Sequence, residues 1–102
     1  MEKPDLKLNT FTILCMRYLS PIVPLDTIVE DYFTHIDIKT ARKRANFHEL
    51  PFPAFRIDNS NKAPYMVRLE DLAIFLDSLY QTHKHDYDAM NNVSNHKKMN
   101  SK

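Results

Sequence analysis

The chain has 102 residues, which is enough for one domain and too few for a two-domain enzyme. Hydrophobic residues make up 43% and charged residues 26%, the balance of a folded domain, which argues against both a disordered chain and a membrane protein. The sequence contains no glycine, so the glycine-rich loops that bind nucleotide phosphates are excluded. We therefore expect no nucleotide cofactor, and we expect Asn, Asp or His wherever a turn needs a positive φ.

The net charge of +1 is distributed unevenly along the chain. Residues 39–68 contain seven bases and two acids, a net charge of +5, and the rest of the chain therefore carries −4. A basic block between acidic segments is typical of a nucleic-acid-binding surface, although a solvated helix surface produces the same pattern. Charge alone does not decide between these two interpretations.

Nothing in the sequence indicates export or a metal centre. The first residues lack the apolar centre of a secretory signal, and no apolar run reaches the roughly 18 residues of a membrane span. The single cysteine, Cys15, suits a reducing compartment, so we expect a cytoplasmic protein that does not bind membranes. His83 and His85 would lie on different faces of a helix, and no Cys, His and carboxylate set completes a tetrahedral site. We expect no metal.

Two helices are predicted after a flexible arm formed by residues 1–8. Apolar residues at helical spacing predict the first helix over residues 10–20, with Asn9 or Thr10 as its N-cap. Two prolines then predict an extended connector over residues 20–24. A second short helix begins near Leu25 and has an acidic outer face.

A third helix is predicted from Ile38 to about residue 47, with Asp37 as its cap. Only Ile38, Ala41 and Ala45 give this helix an inward face. The residues left to point outward are mostly basic or polar: Lys39, Thr40, Arg42, Lys43, Arg44 and Asn46. Two short helices in succession, the second basic on its outer face, have the outline of a helix-turn-helix.

The segment after the third helix predicts a β-hairpin. Residues 50–57 indicate an edge strand, because their two prolines lack the donor that a central strand needs. Residues 58–64 have turn chemistry throughout, and residues 65–69 return as a second strand. A basic hairpin directly after a recognition helix is a wing. We therefore predict an α+β, mainly helical winged helix-turn-helix with three N-terminal helices, a two-stranded wing and a C-terminal helix.

The C-terminal helix is predicted from about Glu70 to Tyr80 or beyond, and its apolar stripe closes the core. The domain then covers residues 9–88, and residues 89–102 are predicted to be a disordered polar tail. The continuation of this helix leaves open whether subunits pair as a homo-oligomer on DNA.

Several short motifs resemble a known family. They are IVPL at 22–25, DYF at 31–33, Arg56 after LPFP at 50–53, SNKAP at 60–64, DLA at 71–73 and LD at 76–77. With them the chain resembles the bacterial pyocin activator protein family, small transcription activators of prophage and tailocin gene clusters, over residues 11–80. Two positions depart from the family pattern. His48 stands where glycine is usual and Asn61 where glutamine is usual.

The resemblance implies a DNA-binding activator that is related in architecture to phage excisionases and MerR-type winged helices. It implies no enzymatic activity. Its partners would be double-stranded DNA and, for an activator, RNA polymerase. An excisionase-like architectural protein and a phage-encoded inhibitor that binds a protein through the same fold remain alternatives.

The residues predicted to contact DNA come from the third helix and from the wing. In the helix, Arg42 or Lys43 is placed to contact guanine, and the other basic residues to neutralise phosphates. For Arg56, a structural ion pair with Glu49 or Asp58 is weighed equally with a phosphate contact. The full set is Lys39, Thr40, Arg42, Lys43, Arg44, Asn46, Arg56, Asn59, Ser60, Asn61 and Lys62. The sequence gives neither the operator nor the choice between activation and repression.

Overall fold

The computed structural model describes residues 9–100, and the side chains of residues 9–92. It has an α+β architecture with four helices and one antiparallel sheet, which confirms the predicted fold class at this level. The elements in chain order are α1 (Thr10–Tyr18), β1 (Ile22–Pro24), α2 (Leu25–Tyr32), α3 (Ile38–Asn46), β2 (Phe55–Arg56), β3 (Tyr65–Arg68) and α4 (Leu69–Asn100). The predicted arm over residues 1–8 lies outside the described residues.

Helix α1 begins and ends with specific caps. The Asn9 side chain accepts a hydrogen bond of 2.7 Å from the backbone N–H of Thr12, as predicted for an N-cap. At the other end Leu19 adopts a left-handed conformation with φ of 55°, and its N–H donates to the carbonyl of Cys15. The expectation that only Asn, Asp or His would take positive φ is therefore wrong. Leu19 is 85% exposed, so crowding by neighbouring side chains adds little to the backbone cost.

The sheet has three strands in the order β1-β3-β2, where the sequence predicted two. The connector before α2 supplies the additional strand, in which Val23 pairs with Val67 of β3. The predicted strand over residues 50–57 is reduced to the two residues of β2, which lies at the sheet edge as expected. Pro51 and Pro53 have no N–H to donate to a ladder, so pairing starts only after them.

The core lies between the helices and this sheet. Its largest fully buried side chains come from α2, β3 and α4: Leu25, Ile28, Val67, Leu69 and Leu72. Three aromatic rings pack together beside them, with centroids 5.9 Å apart for Phe33 and Phe52 and 5.6 Å for Phe52 and Phe75. Phe52 thereby fixes the proline-containing segment before β2 to α2 and α4.

Helix α4 continues to Asn100, where the sequence predicted a disordered tail over residues 89–102. The sequence has no proline after Pro64 and no glycine, so no residue interrupts the helix. Lys84 and Asp88 form an i,i+4 ion pair of 2.9 Å on its exposed surface. No helix in residues 9–100 combines the length and apolarity that crossing a bilayer requires.

Candidate nucleic-acid interface

Helix α3 is positioned by a charged cap and by two alanines. Asp37 accepts a 2.7 Å hydrogen bond from the backbone N–H of Thr40, and hydrogen bonds from Thr40 hold the pKa of Asp37 below its usual value. Ala41 and Ala45 are buried and pack α3 against α2. Small side chains at this contact let the two helices approach closely. Thr40, predicted as a DNA contact, thus has its backbone engaged in the cap.

Three basic side chains of α3 are exposed to solvent. Lys39 and Lys43 are one turn apart on the face opposite the two buried alanines, whereas Arg44 lies about 100° further around the helix, beside a cleft lined by Phe33 and Phe52. None of the three forms a salt bridge within residues 9–92. Their charge is therefore available to an external anion.

Arg42 is the exception on this helix. Its Nε and Nη2 donate to the two carboxylate oxygens of Asp26 in α2, at 3.3 and 2.5 Å. These hydrogen bonds and the negative charge of Asp26 raise the pKa of Arg42. The sequence placed Arg42 or Lys43 at a guanine, and the fold adds a carboxylate partner to Arg42 that the sequence did not indicate.

Asn46 and Arg56 join α3 to the hairpin. The hydroxyl of Tyr65 donates to Oδ1 of Asn46 at 3.3 Å, and the Arg56 guanidinium lies 4.3 Å from the centre of the Tyr65 ring. Arg56 Nε also donates to the carbonyl of Ala63 at 3.1 Å. Arg56 forms neither of the ion pairs weighed from the sequence. We call this set of contacts the Tyr65 bridge. It holds the C-terminal end of α3 to the base of the hairpin.

The hairpin loop, residues 57–64, is closed by Ser60. Its Oγ accepts from the N–H of Lys62 at 3.1 Å, and its carbonyl accepts from the N–H of Ala63 at 3.1 Å. Ser60 therefore shapes the turn. Asn59, Asn61 and Lys62 are exposed, and within residues 9–92 their side chains make no hydrogen bond to the protein. We use the name basic surface for the exposed cations of α3 and of the hairpin loop, which are Lys39, Lys43, Arg44 and Lys62.

His48 shows how α3 ends without glycine. It adopts φ of 55°, the left-handed region that favours glycine, where the resemblance indicated a glycine in the family pattern. The N–H of His48 donates to the carbonyl of Ala45, and that of Glu49 to the carbonyl of Arg44. The turn is thus preserved with histidine in place of glycine.

The structure also brings in residues that the sequence did not single out. Asp26 and Tyr65 act on α3 from 16 and 19 residues away, so no local pattern marked them. Phe47 and Ile57 are 59% and 70% exposed, directly after α3 and at the start of the hairpin loop. The sequence signal available for these two was an apolar residue directly after the basic helix and another directly before the predicted turn. In the described part of the chain, no cluster of three or more His, Cys, Asp or Glu residues is arranged to hold a metal ion.

Comparison with known proteins gives one result. The family model described as Pyocin activator protein PrtN matches residues 10–83, which is more than half of the chain and includes α1 to β3, the Tyr65 bridge and the basic surface. Searches of curated proteins and of solved structures give no significant match.

Proposed function

The chain belongs to the pyocin activator protein PrtN family, and from this premise we propose that it is a sequence-specific DNA-binding activator of prophage or bacteriocin-type genes. The observation that carries this proposal is the basic surface: four cations without a carboxylate partner in residues 9–92, on two elements held together by the Tyr65 bridge. Unpaired cations on a fixed scaffold are what phosphate binding requires.

The binding mode is that of a winged helix-turn-helix. Helices α2 and α3 form the helix-turn-helix, α3 enters the major groove, and the hairpin of β2 and β3 is the wing that reaches the neighbouring backbone. Lys39, Lys43 and Arg44 contact phosphates beside the groove. Lys62, with Asn59 and Asn61, contacts the backbone or minor groove next to it. RNA polymerase is the second partner that activation requires.

The alternative is a protein inhibitor that binds a partner through the acidic face of α2 and through the fourth helix, and one observation on α2 supports DNA binding over it. Asp26 and Asp31, two of the three carboxylates of that helix, are held in salt bridges with Arg42 and Arg17. They therefore offer little free charge to a partner protein. An excisionase-like role would use the same basic surface, and a promoter-reporter assay beside a recombination assay separates it from activation.

The test compares two lysines of α3 with an exposed lysine of α4. The probe is a duplex recovered by sequencing the DNA that the protein binds in cells. We expect Lys39→Ala with Lys43→Ala to weaken binding about 100-fold, at about 10-fold for each lysine. Lys84→Ala, which removes an exposed helical lysine far from α3 in sequence, should change affinity less than about 2-fold.

The melting temperatures of both variants should match the parent protein, because exposed substitutions rarely change stability by more than about 0.5 kcal/mol. Full affinity in the double variant would show that α3 does not contact the duplex.

A further inference from the structure

The Arg42 guanidinium is held by one edge. Its Nε and Nη2 form a two-point contact with the Asp26 carboxylate. Both side chains remain accessible, at 57% for Arg42 and 38% for Asp26. An arginine has five N–H donors in a planar fork, and this contact uses two of them. Within residues 9–92 no acceptor binds Nη1, so the edge formed by Nη1 and the second Nη2 proton is free.

The free edge of Arg42 is better suited to a guanine base than to a phosphate. A phosphate is bound for its charge, and the Arg42 charge is already compensated by Asp26 at contact distance. A guanine presents two neutral acceptors in the major groove, O6 and N7, which a pair of parallel N–H donors satisfies. Lys39 and Lys43, which have no carboxylate partner in the described residues, are the better phosphate ligands.

Holding the side chain in advance has a further effect. A free arginine loses rotamer entropy when it is fixed against a ligand. Asp26 lies in the first turn of α2, a helix packed on α3, so the carboxylate itself is on a rigid element. Part of the ordering cost of Arg42 is therefore met before DNA arrives.

We propose that Asp26 is a positioning residue for base recognition: it holds Arg42 so that its free edge donates to O6 and N7 of one guanine in the operator. The inference rests on the proposed function, because it assigns a role within the same interface. It also assigns different roles to neighbouring bases of α3. Arg42 reads sequence, and the lysines supply affinity.

The experiment uses the full chain and the recovered duplex, with each guanine replaced in turn by 7-deazaguanine, which lacks the N7 acceptor. For the parent protein we expect one guanine at which the replacement weakens binding about 10-fold. In Arg42→Ala this sensitivity should disappear. In Asp26→Asn it should fall to about 2-fold or 3-fold, while affinity for unrelated duplex stays equal or rises, because one negative charge is removed.

Glu30→Gln is the matched control, since it removes one carboxylate from the exposed surface of the same helix. It should keep the 10-fold sensitivity. A purely structural role for Asp26 would lower the melting temperature and leave the sensitivity at 10-fold, and that result would overturn the inference.

An equal rise in affinity for every duplex in Asp26→Asn, with the sensitivity unchanged, would also overturn it, because Asp26 would then only neutralise Arg42. In both cases the proposed function would stand. Failure of the parent protein to bind any duplex would instead reject the proposed function and the inference together.

Discussion

The basic surface and the junction of α1 with α2 use charge in opposite ways. At the junction, Arg17 forms a 3.2 Å salt bridge with Asp31, donates to the Tyr32 hydroxyl at 3.2 Å and lies over the rings of Tyr18 and Tyr32. The Tyr18 hydroxyl donates to Asp31, and burial together with this hydrogen bond raises the pKa of Tyr18. The four cations of the basic surface have no such partners within residues 9–92.

The comparison distinguishes two kinds of charged residue. Arg17 contributes to the contacts that stabilise the fold, whereas the residues of the basic surface can bind an external partner. A guanidinium satisfied by two phenols and a carboxylate has little to offer an external anion, whereas an unpaired lysine on a helix held at both ends does. Composition alone does not distinguish these cases, because Arg17 and Lys43 count equally in the net charge. Their neighbours in space decide which role each one has.

The strongest test of this contrast reverses one charge in each region. Lys43→Glu should lower DNA affinity more than about 100-fold, because it replaces attraction to phosphate by repulsion, and should leave the melting temperature unchanged. Asp31→Lys should lower the melting temperature by about 5 °C, because it breaks the contacts with Arg17 and Tyr18. Binding titrations and thermal melts of both variants measure the two effects.

Asp31→Lys also makes the protein more positive, so it serves as its own control for net charge. If affinity followed total charge, this variant would bind DNA more tightly. We expect its affinity to stay within about 3-fold of the parent protein. Tighter binding than that would remove the distinction between the two regions.

The next prediction is that salt concentration changes DNA affinity strongly and the melting temperature only slightly. With about three phosphate contacts, raising the salt concentration from about 50 to 200 mM should weaken DNA binding about 50-fold, because fewer counterions are then released in favourable exchange. The melting temperature should change little over the same range, since the charges at the junction are at contact distance, far closer than the screening length of the salt. Parallel titrations and melts test this, and a binding constant that is flat across salt would argue against phosphate contacts.

A smaller effect is expected at the two left-handed residues, one in each region. Leu19 ends α1 and His48 follows α3, both with φ of 55°. Replacement by glycine removes the steric cost of this conformation, so each variant should gain up to about 1 kcal/mol of unfolding free energy. Denaturant titration measures the gain. His48→Ala is the contrasting variant, and if it were as stable as His48→Gly, the left-handed conformation would be in question.

The smallest effect concerns the caps of α1 and α3. Asn9 is uncharged, whereas the pKa of Asp37 is lowered in the folded state by its hydrogen bonds with Thr40. A carboxyl with a depressed folded pKa contributes stability above its unfolded pKa of about 3.9, and the contribution is lost as the pH falls towards the folded pKa. Asp37→Asn keeps a capping side chain but removes the titrating carboxyl. In this variant the free energy of unfolding should fall less steeply as the pH is lowered from about 5 to 2. If the variant lost as much unfolding free energy at low pH as the parent protein, other carboxyls would be responsible for the acid dependence.

The sequence predicted well wherever structure is decided locally. Helices α1, α2 and α3 follow from apolar spacing and from the caps Asn9 and Asp37, and the observed bounds differ from the predicted ones by one or two residues. Strand β1 was missed because three residues are too few to show alternation, and its pairing with β3 spans more than forty residues of chain. No residue pattern within the connector indicates that it pairs with β3.

The candidate site divides in the same manner. Exposed bases at helical spacing identified the surface of α3, and turn chemistry identified the hairpin loop. The sequence did not show which of these polar residues would be bound by other side chains of the same protein. Asp26 binds Arg42 through hydrogen bonds, and Tyr65 donates to Asn46 and packs against the guanidinium of Arg56. These contacts depend on how α2 and β3 are placed against α3, which only the tertiary structure gives.

We propose that the cations without a carboxylate partner in residues 9–92 contact DNA, and an NMR titration of the labelled protein with the recovered duplex reports on each of these residues. We expect the largest amide shift changes in α3 and the hairpin loop, with Arg17, Tyr18 and Asp31 nearly unaffected. Large changes at the junction of α1 with α2, with α3 and the loop unmoved, would contradict it.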